Sequence, residues 1–363
     1  MRIATYAAVL TTALGATPVQ MPVPQVTESL SKGVIDGAMI PWEVAPALKL
    51  HHFLPPGATI QKLVFEPWCE KIGNESGGKL KCQIYPSMQL GGTPPQLFDQ
   101  ARDGVADIIW TIPTYQAGRF NKSEVFELPF MAKSAEVGSP AFWEYIQKDS
   151  ADEFRGVKLL AAHLHDGSLF HFASKRVRTM EELKGMKVRA PTRIGTKFLQ
   201  ALGAVPVQMP LPQVPEAISK GVIDGAMVPW EGTPPIKLHE IAKYALDNAP
   251  GQPKMSNSIF VIVMNQAKYD SLPPDLKKVI DANTGLAWSA QIGKVFDGTT
   301  EPARKLATAA NNVFDTLSPE EYAKMQKATE GVFKEWIGEV NAKGGNGQQL
   351  LDDARALIKK HGG

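Results

Sequence analysis

From residue 47 onward, short apolar strands alternate with amphipathic helices of about ten residues, and this alternation limits the fold more than any other feature. The predicted strands cover 47–52, 80–85, 106–111, 157–163, 169–174, 186–189, 205–209 and 223–228. The predicted helices between them cover 60–72, 95–103, 180–184, 192–202 and 212–220. Strands that alternate with helices form parallel sheets with helices packed on their faces, so we predict an α/β fold.

Two stretches of the chain share one helix–strand pattern. Residues 95–113 are PQLFDQARDGVADIIWTIP, and residues 212–230 are PQVPEAISKGVIDGAMVPW. In both stretches a glycine follows the helix, Gly104 in the first and Gly221 in the second, where a left-handed conformation commonly ends a helix. The shared pattern predicts two similar lobes that face each other.

The chain is long enough for two lobes, because single hydrophobic cores stop growing near ~250–300 residues and this chain has 363. Ligands of open α/β sheets bind beyond the carboxyl ends of the strands, which places residues 110–115 of one lobe opposite residues 228–231 of the other. A long helix predicted over 276–305 either braces both lobes or caps the fold. The predicted division gives lobe I residues 48–166 and 254–294, and gives lobe II residues 167–253 and 295–363 with the C-terminal helices.

Residues 13–51 repeat residues 201–239 at a constant offset of 188, with about three quarters of the positions identical. The repeated unit holds two predicted strands and one helix, which is too little to form a domain. We interpret residues 1–47 as a disturbed signal-like segment followed by a copied internal segment, and we expect the copy to be peripheral.

The N-terminus has features of an export signal. Met1 and Arg2 precede the apolar, small-residue-rich stretch 3–16, which contains no acidic residue. The alternative is an ordinary buried segment. No stretch reaches the ~20 apolar residues of a spanning helix, and the net charge of +2 is too small to indicate a nucleic-acid partner.

The two cysteines, Cys69 and Cys82, lie on a predicted helix and on the strand after it. They form either a disulfide or two buried thiols, and their spacing matches no zinc motif. We predict no metal and no cofactor.

Arg189 is the strongest candidate for ligand binding. It ends a predicted strand, and the next helix begins near Thr192, so a guanidinium and free helix N–H groups are available to one carboxylate. The alternative is a structural ion pair. Trp110 and Trp230 stand near the ends of the matched strands and line a pocket or belong to the core. Glu231 is a ligand contact or a polar group near the hinge, and we favour the latter.

His163 and His165 share one face of a predicted strand, an arrangement that suits an enzyme or a metal site. No carboxylate completes a metal site, and the sequence contains no GxSxG, HExxH, P-loop or dinucleotide-binding motif. We therefore predict no catalytic residue. An α/β enzyme that uses this region, and an interaction module without a small ligand, remain the alternatives to a binding protein.

Three segments carry a family resemblance: GGKLKCQIYPSMQLGGTPPQLFDQARDGVADIIWTIPTYQAGRF, EVFELPFM and EELKGMKVRAPTRIGTKFLQALGAVPVQMPLPQVPEAISKGVIDGAMVPWE. They resemble the substrate-binding subunits of TRAP (tripartite ATP-independent periplasmic) transporters, from about residue 48 to the C-terminus. The resemblance implies a two-lobed periplasmic-binding-protein architecture with a ligand cleft and a long helix across both lobes. It also implies a periplasmic receptor that closes on an organic carboxylate and delivers it to sodium-coupled integral membrane transporter subunits.

The resemblance also implies a site. In the family, the arginine of the L-K-G-x-K-x-R-x-P strand binds the substrate carboxylate, and here it is Arg189. The sialic-acid receptors of the family carry Asn at the position of Val228, and they carry a second Arg near the position of Leu169. This chain has neither residue there, so a sugar acid is disfavoured. The apolar surroundings favour an aromatic or otherwise hydrophobic monocarboxylate. The predicted ligand-binding residues are Arg189, Thr192, Trp230, Val228, Leu211, Trp110 and Thr111.

Overall fold

A computed structural model describes residues 16–19, 23–38 and 47–363. The strands, in chain order, are β1 (Leu48–His51), β2 (Cys82–Tyr85), β3 (Ile108–Thr111), β4 (Val157–Leu164), β5 (Ser168–Phe172), β6 (Lys187–Ala190), β7 (Val205–Gln208), β8 (Gly225–Pro229), β9 (Tyr244–Asp247), β10 (Ile259–Asn265) and β11 (Val313–Thr316).

The α-helices surround two sheets. In chain order they are α1 (Val23–Ser31), α2 (Glu66–Glu75), α3 (Leu97–Arg102), α4 (Ala135–Tyr145), α5 (Arg193–Ala201), α6 (Val214–Ser219), α7 (Leu238–Ile241), α8 (Gln266–Ser271), α9 (Pro274–Ala282), α10 (Leu286–Gly298), α11 (Thr300–Ala309), α12 (Pro319–Ala328), α13 (Glu330–Ala342) and α14 (Gly347–Lys360). A π-helical stretch, Ile60–Phe65, runs directly into α2.

The α/β fold with two lobes is confirmed, but the sheets are mixed and not purely parallel. The first sheet has the order β2-β1-β3-β10-β4, and the second has the order β11-β9-β5-β8-β6-β7. In the first sheet β10 is antiparallel to both of its neighbours, and in the second β5 is antiparallel to both of its neighbours. These strands enter their sheets from the other lobe, without the helical crossover that makes consecutive strands parallel.

Three connections between the lobes lie side by side: residues 165–167 between β4 and β5, residues 248–258 between β9 and β10, and the junction of α10 and α11 at Thr299. The described chain passes between the lobes once more after β11, where it returns to the first lobe. Hydrogen bonds and close packing join them: the Thr300 hydroxyl donates to Asp166 Oδ2 at 2.6 Å, and a Cβ on Gly167 would lie 2.2 Å from Lys254 Cγ. Gly167 has a φ of +93°, which favours glycine at this position.

The long helix predicted over 276–305 is interrupted twice. Gly285, with a φ of +91°, separates α9 from α10, and its N–H donates to the Leu160 carbonyl at 2.7 Å. Pro302 lacks the N–H that would continue the α10 ladder, so the helix is irregular around Thr299. The expectation of a helix along both lobes nevertheless holds, because α10 packs on α4 and β4 while α11 packs on the turn Trp230–Gly232.

The division of the chain into lobe I and lobe II stays a prediction, and one part of it needs correction. We expected residues 295–363 to lie with lobe II, but α14 packs against α4, beside the first sheet. Its buried face presents Leu351 and Ile358. Lys360 at its end forms an ion pair with Glu144. Hydrophobic burial against α4 therefore returns the end of the chain to the first lobe.

The copied segment forms a helix but contributes no strand within its described residues. Helix α1 corresponds, at the offset of 188, to a 3-10 turn (Leu211–Gln213) and α6 of the original. The second sheet contains the original strands β7 and β8. In the copy, the described residues that correspond to β7 and β8 are 17–19 and 37–38. These residues are exposed and belong to no sheet. The signal-like stretch 3–16 lies outside the described residues except for Ala16.

Cys69 and Cys82 form a disulfide, which decides between the two alternatives left open by the sequence. Cys69 lies on α2 and Cys82 begins β2, the edge strand of the first sheet. The bond therefore fastens a helix to a strand that has a neighbour on one side only.

Across residues 16–19, 23–38 and 47–363, no helix has both the length and the apolar content that crossing a bilayer would require.

Candidate functional site

A small cavity of about 20 Å³ lies between the two sheets. Its lining residues come from both lobes and from the crossing between β4 and β5. They are Phe53, Leu54, Trp110, Ile112, Tyr115, His165, Ser168, Arg189, Pro191, Leu211, Pro229, Glu231, Ser258 and Phe260.

Arg189 is the cationic member of this lining. It lies on β6, is 2% exposed, and donates from Nε to the Met209 carbonyl at 3.0 Å and from Nη1 to the Met227 carbonyl at 2.7 Å. Burial lowers the pKa of Arg189, and nearby Tyr115 raises it. No Asp or Glu among the described residues shifts this pKa. A guanidinium stays charged in proteins, so a buried positive charge lines the cavity without a carboxylate partner from the described chain.

An aromatic stack forms the opposite side of the cavity. The Trp110 indole stacks on Phe53 and on Phe260, with ring centroids 4.8 Å apart in each pair. Its Nε1 donates to His163 Nε2 at 2.8 Å, which fixes the orientation of the indole. The stacked rings form a rigid apolar surface on this side of the cavity, which a planar ring can contact.

Tyr115 connects this surface to Arg189. Its side chain is buried, and its hydroxyl accepts a hydrogen bond from the Leu211 N–H at 3.2 Å. Burial raises the pKa of Tyr115, and the nearby Arg189 lowers it. The two residues thus stand side by side, with the phenol on the first lobe and the guanidinium on the second.

His163 and His165 are both buried and hydrogen-bonded. His163 donates from Nδ1 to the Leu164 carbonyl at 3.0 Å while its Nε2 accepts from Trp110, and burial lowers its pKa to about 3. Burial also lowers the pKa of His165 to about 3, and its Nε2 accepts from the Ser258 N–H at 2.9 Å. Within the part of the chain that the structure describes, no group of three or more His, Cys, Asp or Glu side chains could hold a metal ion.

Glu231 lines the cavity, although we favoured a position near the hinge. It is 4% exposed, and its Oε1 has no hydrogen-bond partner among the described residues. Burial, together with the smaller effect of nearby Asp166, raises its pKa to about 8. The 3-10 turn Trp230–Gly232 that follows β8 directs the side chains of Trp230 and Glu231 in different directions.

Trp110, Leu211 and Arg189 are the predicted ligand-binding residues that the structure brings to the cavity. Trp230 lies outside this lining: its Nε1 donates to Asp247 Oδ2 at 3.1 Å, and its ring packs edge-on against Phe314 within the second lobe.

Thr192, Thr111 and Val228 also lie outside the lining. Thr192 caps α5 by accepting from the Gly195 N–H. Thr111 faces away because strand side chains alternate, and its neighbours Trp110 and Ile112 take the cavity side. The Val228 side chain lies beside Gly232, where an added Cβ would come within 3.2 Å of Val228 Cγ1.

The sequence analysis missed Phe53 and Phe260, which complete the aromatic stack. Phe53 follows β1, so the rule for strand ends would have found it. Phe260 lies on β10, and no sequence signal shows that this strand returns antiparallel into the first sheet.

Comparison with known proteins places this architecture among bacterial receptors. The model of the DctP family, described as bacterial extracellular solute-binding protein, family 7, matches residues 1–55 and 50–339. A TRAP solute-binding protein from Rhodoferax ferrireducens T118, solved with copurified benzoate, is 45% identical with a TM-score of 0.86, over 87% of this chain and 98% of that chain.

Two further solved structures are similar. A marine metagenome TRAP solute-binding protein specific for aromatic acid ligands, solved with 3-hydroxybenzoate, is 45% identical with a TM-score of 0.85, over 87% of this chain and 99% of that one. A TRAP periplasmic solute-binding protein from Bordetella bronchiseptica, solved with (R)- and (S)-mandelate, is 26% identical with a TM-score of 0.80, over 87% of this chain and 99% of that one.

Two α/β lobes that enclose a cavity lined by a buried arginine define a two-lobed solute receptor. This chain belongs to the DctP family, family 7 of the bacterial extracellular solute-binding proteins, and is a TRAP solute-binding protein. Its role is to capture a small organic acid and deliver it to the membrane subunits of a TRAP transporter. The two matches to the family model, which overlap at residues 50–55, show that the N-terminal copy is itself family sequence.

Proposed function

We propose that this chain is a periplasmic receptor for an aromatic monocarboxylate, whose carboxylate pairs with Arg189 and whose ring packs against the aromatic stack of Phe53, Trp110 and Phe260. The observation that carries the proposal is the buried guanidinium, which has two carbonyl partners and no acidic partner among the described residues. A buried charge without a counter-ion is costly, and a ligand carboxylate supplies the missing charge.

The rest of the lining supports an aromatic ligand. The stacked rings of Phe53, Trp110 and Phe260 form an apolar side of the cavity. Leu211 and Ile112 add aliphatic contacts. Two similar proteins of 45% identity were solved with benzoate and with 3-hydroxybenzoate, which have this chemistry.

The same lining disfavours a dicarboxylate. Arg189 is its single Arg or Lys residue, so a second carboxylate would lie beside the aromatic stack or the buried Glu231 without a cation to pair with. Transfer of an unpaired charge into such an environment costs several kcal/mol. We therefore expect mono-acids to bind much more tightly than di-acids.

The proposed location rests on the family and on the disulfide. Members of this family are extracellular solute-binding proteins, and the Cys69–Cys82 bond is typical of an oxidising compartment such as the periplasm. A binding role without catalysis agrees with His163, whose two ring nitrogens are both engaged in hydrogen bonds.

Calorimetry with a matched ligand series tests the proposal. After removal of copurified ligand by unfolding and refolding, the protein is titrated with benzoate, benzamide, cyclohexanecarboxylate and succinate. Benzoate should bind best, because benzamide lacks the charge, cyclohexanecarboxylate lacks the planar ring and succinate carries a second charge. Tighter binding of succinate than of benzoate, or equal binding of benzamide and benzoate, would refute the assignment.

A further inference from the structure

We infer that Glu231 is a specificity-determining residue that binds a hydroxyl group on the ring of the ligand, so the preferred ligand is a hydroxylated aromatic monocarboxylate. The inference rests on the proposed function, since it requires that Arg189 hold the carboxylate. It adds a second polar contact, in the same cavity, to a group other than the carboxylate.

Glu231 is placed for this contact by its burial and its lack of partners. It lines the same cavity as Arg189, is 4% exposed, and its Oε1 accepts and donates no hydrogen bond within the described residues. Buried polar atoms in native proteins almost always have a partner, so an unpaired oxygen in a ligand cavity indicates a partner that arrives with the ligand.

A second buried glutamate shows the difference between a structural and a ligand-directed carboxyl group. Glu127 is 1% exposed and lies outside the cavity lining. Its Oε1 accepts from the Thr114 hydroxyl at 2.6 Å and from the Ile259 N–H at 3.2 Å. The protein therefore holds Glu127 in place through Oε1, although its Oε2 also has no partner among the described residues. Glu231 has no pair of hydrogen bonds of this kind; nearby Asp166 raises its pKa and the Thr59 hydroxyl lowers it.

Glu231 and Arg189 act on different parts of a ligand. Both line the cavity, but within the described residues Glu231 forms no hydrogen bond with Arg189, whose guanidinium donates to the Met209 and Met227 carbonyls. One ligand that reaches both groups must carry a carboxylate at one position and a hydrogen-bonding group at another.

The protonation of Glu231 favours a neutral hydroxyl over a charged group. With a pKa of about 8, caused mainly by burial, the side chain is largely a neutral carboxylic acid at pH 7. A carboxylic acid both donates and accepts hydrogen bonds, which matches the donor and acceptor capacity of a phenol. A site built to bind a hydroxyl discriminates against the analogue that lacks it, because its polar atom is then left unpaired.

Binding constants on the unaltered protein give the first test. We expect 3-hydroxybenzoate or 4-hydroxybenzoate to bind about tenfold more tightly than benzoate. The corresponding methoxybenzoate and fluorobenzoate should lose this gain, because neither can donate a hydrogen bond. The ligand 3-(aminomethyl)benzoate tests whether Glu231 binds an ammonium group instead.

Variants of Glu231 give the second test. In Glu231→Met, benzoate should still bind, but the tighter binding of hydroxybenzoate should be lost. The dissociation constants of the two ligands should then be about equal. Glu231→Gln, which keeps a donor and an acceptor, should retain most of the preference. Glu127→Gln is the matched control, a buried glutamate outside the cavity, and should keep the full preference.

The outcomes separate this inference from the proposed function. If no aromatic acid binds, the proposed function fails and the inference fails with it. If benzoate binds but neither hydroxybenzoate binds more tightly, or if Glu231→Met keeps the preference, the inference alone is wrong. Tighter binding of the aminomethyl ligand than of the hydroxybenzoates would also overturn it. The ligand series decides the matter even if Glu231→Met does not fold.

Discussion

The Tyr115 hydroxyl accepts a hydrogen bond from the Leu211 N–H at 3.2 Å, and this bond joins the two lobes across the ligand cavity. Tyr115 lies in the turn after β3 of the first sheet, and Leu211 lies in the turn after β7 of the second. The bond exists only when the lobes are together, so it stabilises the closed arrangement.

Replacement of Tyr115 by Phe should weaken ligand binding by about fivefold, because it removes a hydrogen bond worth about 1 kcal/mol that forms on closure. The phenyl ring keeps its packing against Phe53, so the ligand-free midpoint of thermal unfolding should change little. Calorimetry gives the affinity, and X-ray scattering gives the decrease in radius of gyration when ligand closes the lobes. An unchanged radius on saturation would contradict closure by a hinge.

Replacement of Arg189 by Ala should weaken binding of the cognate acid by about 2–5 kcal/mol, because a buried carboxylate loses its charged partner. Arg189→Lys keeps the charge but not the planar fork, so its affinity should be intermediate. Both variants should remain folded, as circular dichroism would show. Wild-type affinity in the Ala variant would mean that the carboxylate binds elsewhere.

Replacement of Gly167 by Ala should destabilise the crossing between the lobes. The new Cβ would require a strained positive φ and would overlap the Lys254 side chain. Gly221→Ala is the control, since its φ is also positive but no atom lies within 4 Å of the new Cβ. The control should cost about 1–2 kcal/mol of unfolding free energy, and Gly167→Ala about 1–3 kcal/mol more, measured by denaturant titration. Equal losses would show that Lys254 moves aside freely.

Asp166 should make the protein less stable as the pH rises. Burial raises its pKa to about 7 from an ordinary value of 3.8, so the folded protein holds this proton more tightly than the unfolded chain does. The stabilisation is therefore complete below about pH 4 and is lost as the pH rises through about 7. Nearby Lys254 opposes this shift, and Asp297 and Asp247 add to it.

The Asp166→Asn variant, which cannot ionise, should gain unfolding free energy relative to the wild type between pH 4 and pH 7, with a slope of up to about 1.4 kcal/mol per pH unit. Denaturant titrations across that range measure the slope, and Asp36→Asn, at an exposed position, provides the control. If the difference in unfolding free energy between the variant and the wild type does not change with pH, Asp166 is ionised in the folded protein.

Deletion of residues 14–47, with a functional signal sequence in front, should preserve ligand affinity and improve the yield. The second sheet already contains β7 and β8, so the copy has no interior slot in it and must dock on an edge, compete with the originals during folding or stay loosely ordered. Calorimetry and the purified yield test the two parts separately. A truncated protein that is folded but binds no ligand would show that the segment belongs to the site.

The pattern of the sequence predicted the elements that local chemistry determines. Gly104 and Gly221 end α3 and α6 with φ values of +78° and +67°, as the two matched stretches indicated. Arg189 was placed at the cleft from its position at the end of a strand, and the structure puts it on the cavity lining.

What the sequence could not supply depends on the geometry of turns and on long-range pairing. Trp230 and Glu231 are adjacent, and the sequence favoured the tryptophan for the cavity. The 3-10 turn sends the tryptophan into the core and the glutamate to the ligand side. The antiparallel β10, which carries Phe260, depends on the chain returning from the other lobe, and no local pattern encodes that path.

The redox state of Cys69 and Cys82 indicates the compartment in which the chain folded. The sequence contains no other cysteine, so a molecule carries either two free thiols or none. A chain that folds before export meets a reducing cytosol, and one that folds after export meets an oxidising periplasm. The fraction of molecules that react with a thiol label, measured on intact cells and on spheroplasts, therefore measures how much of this receptor folded in an oxidising compartment.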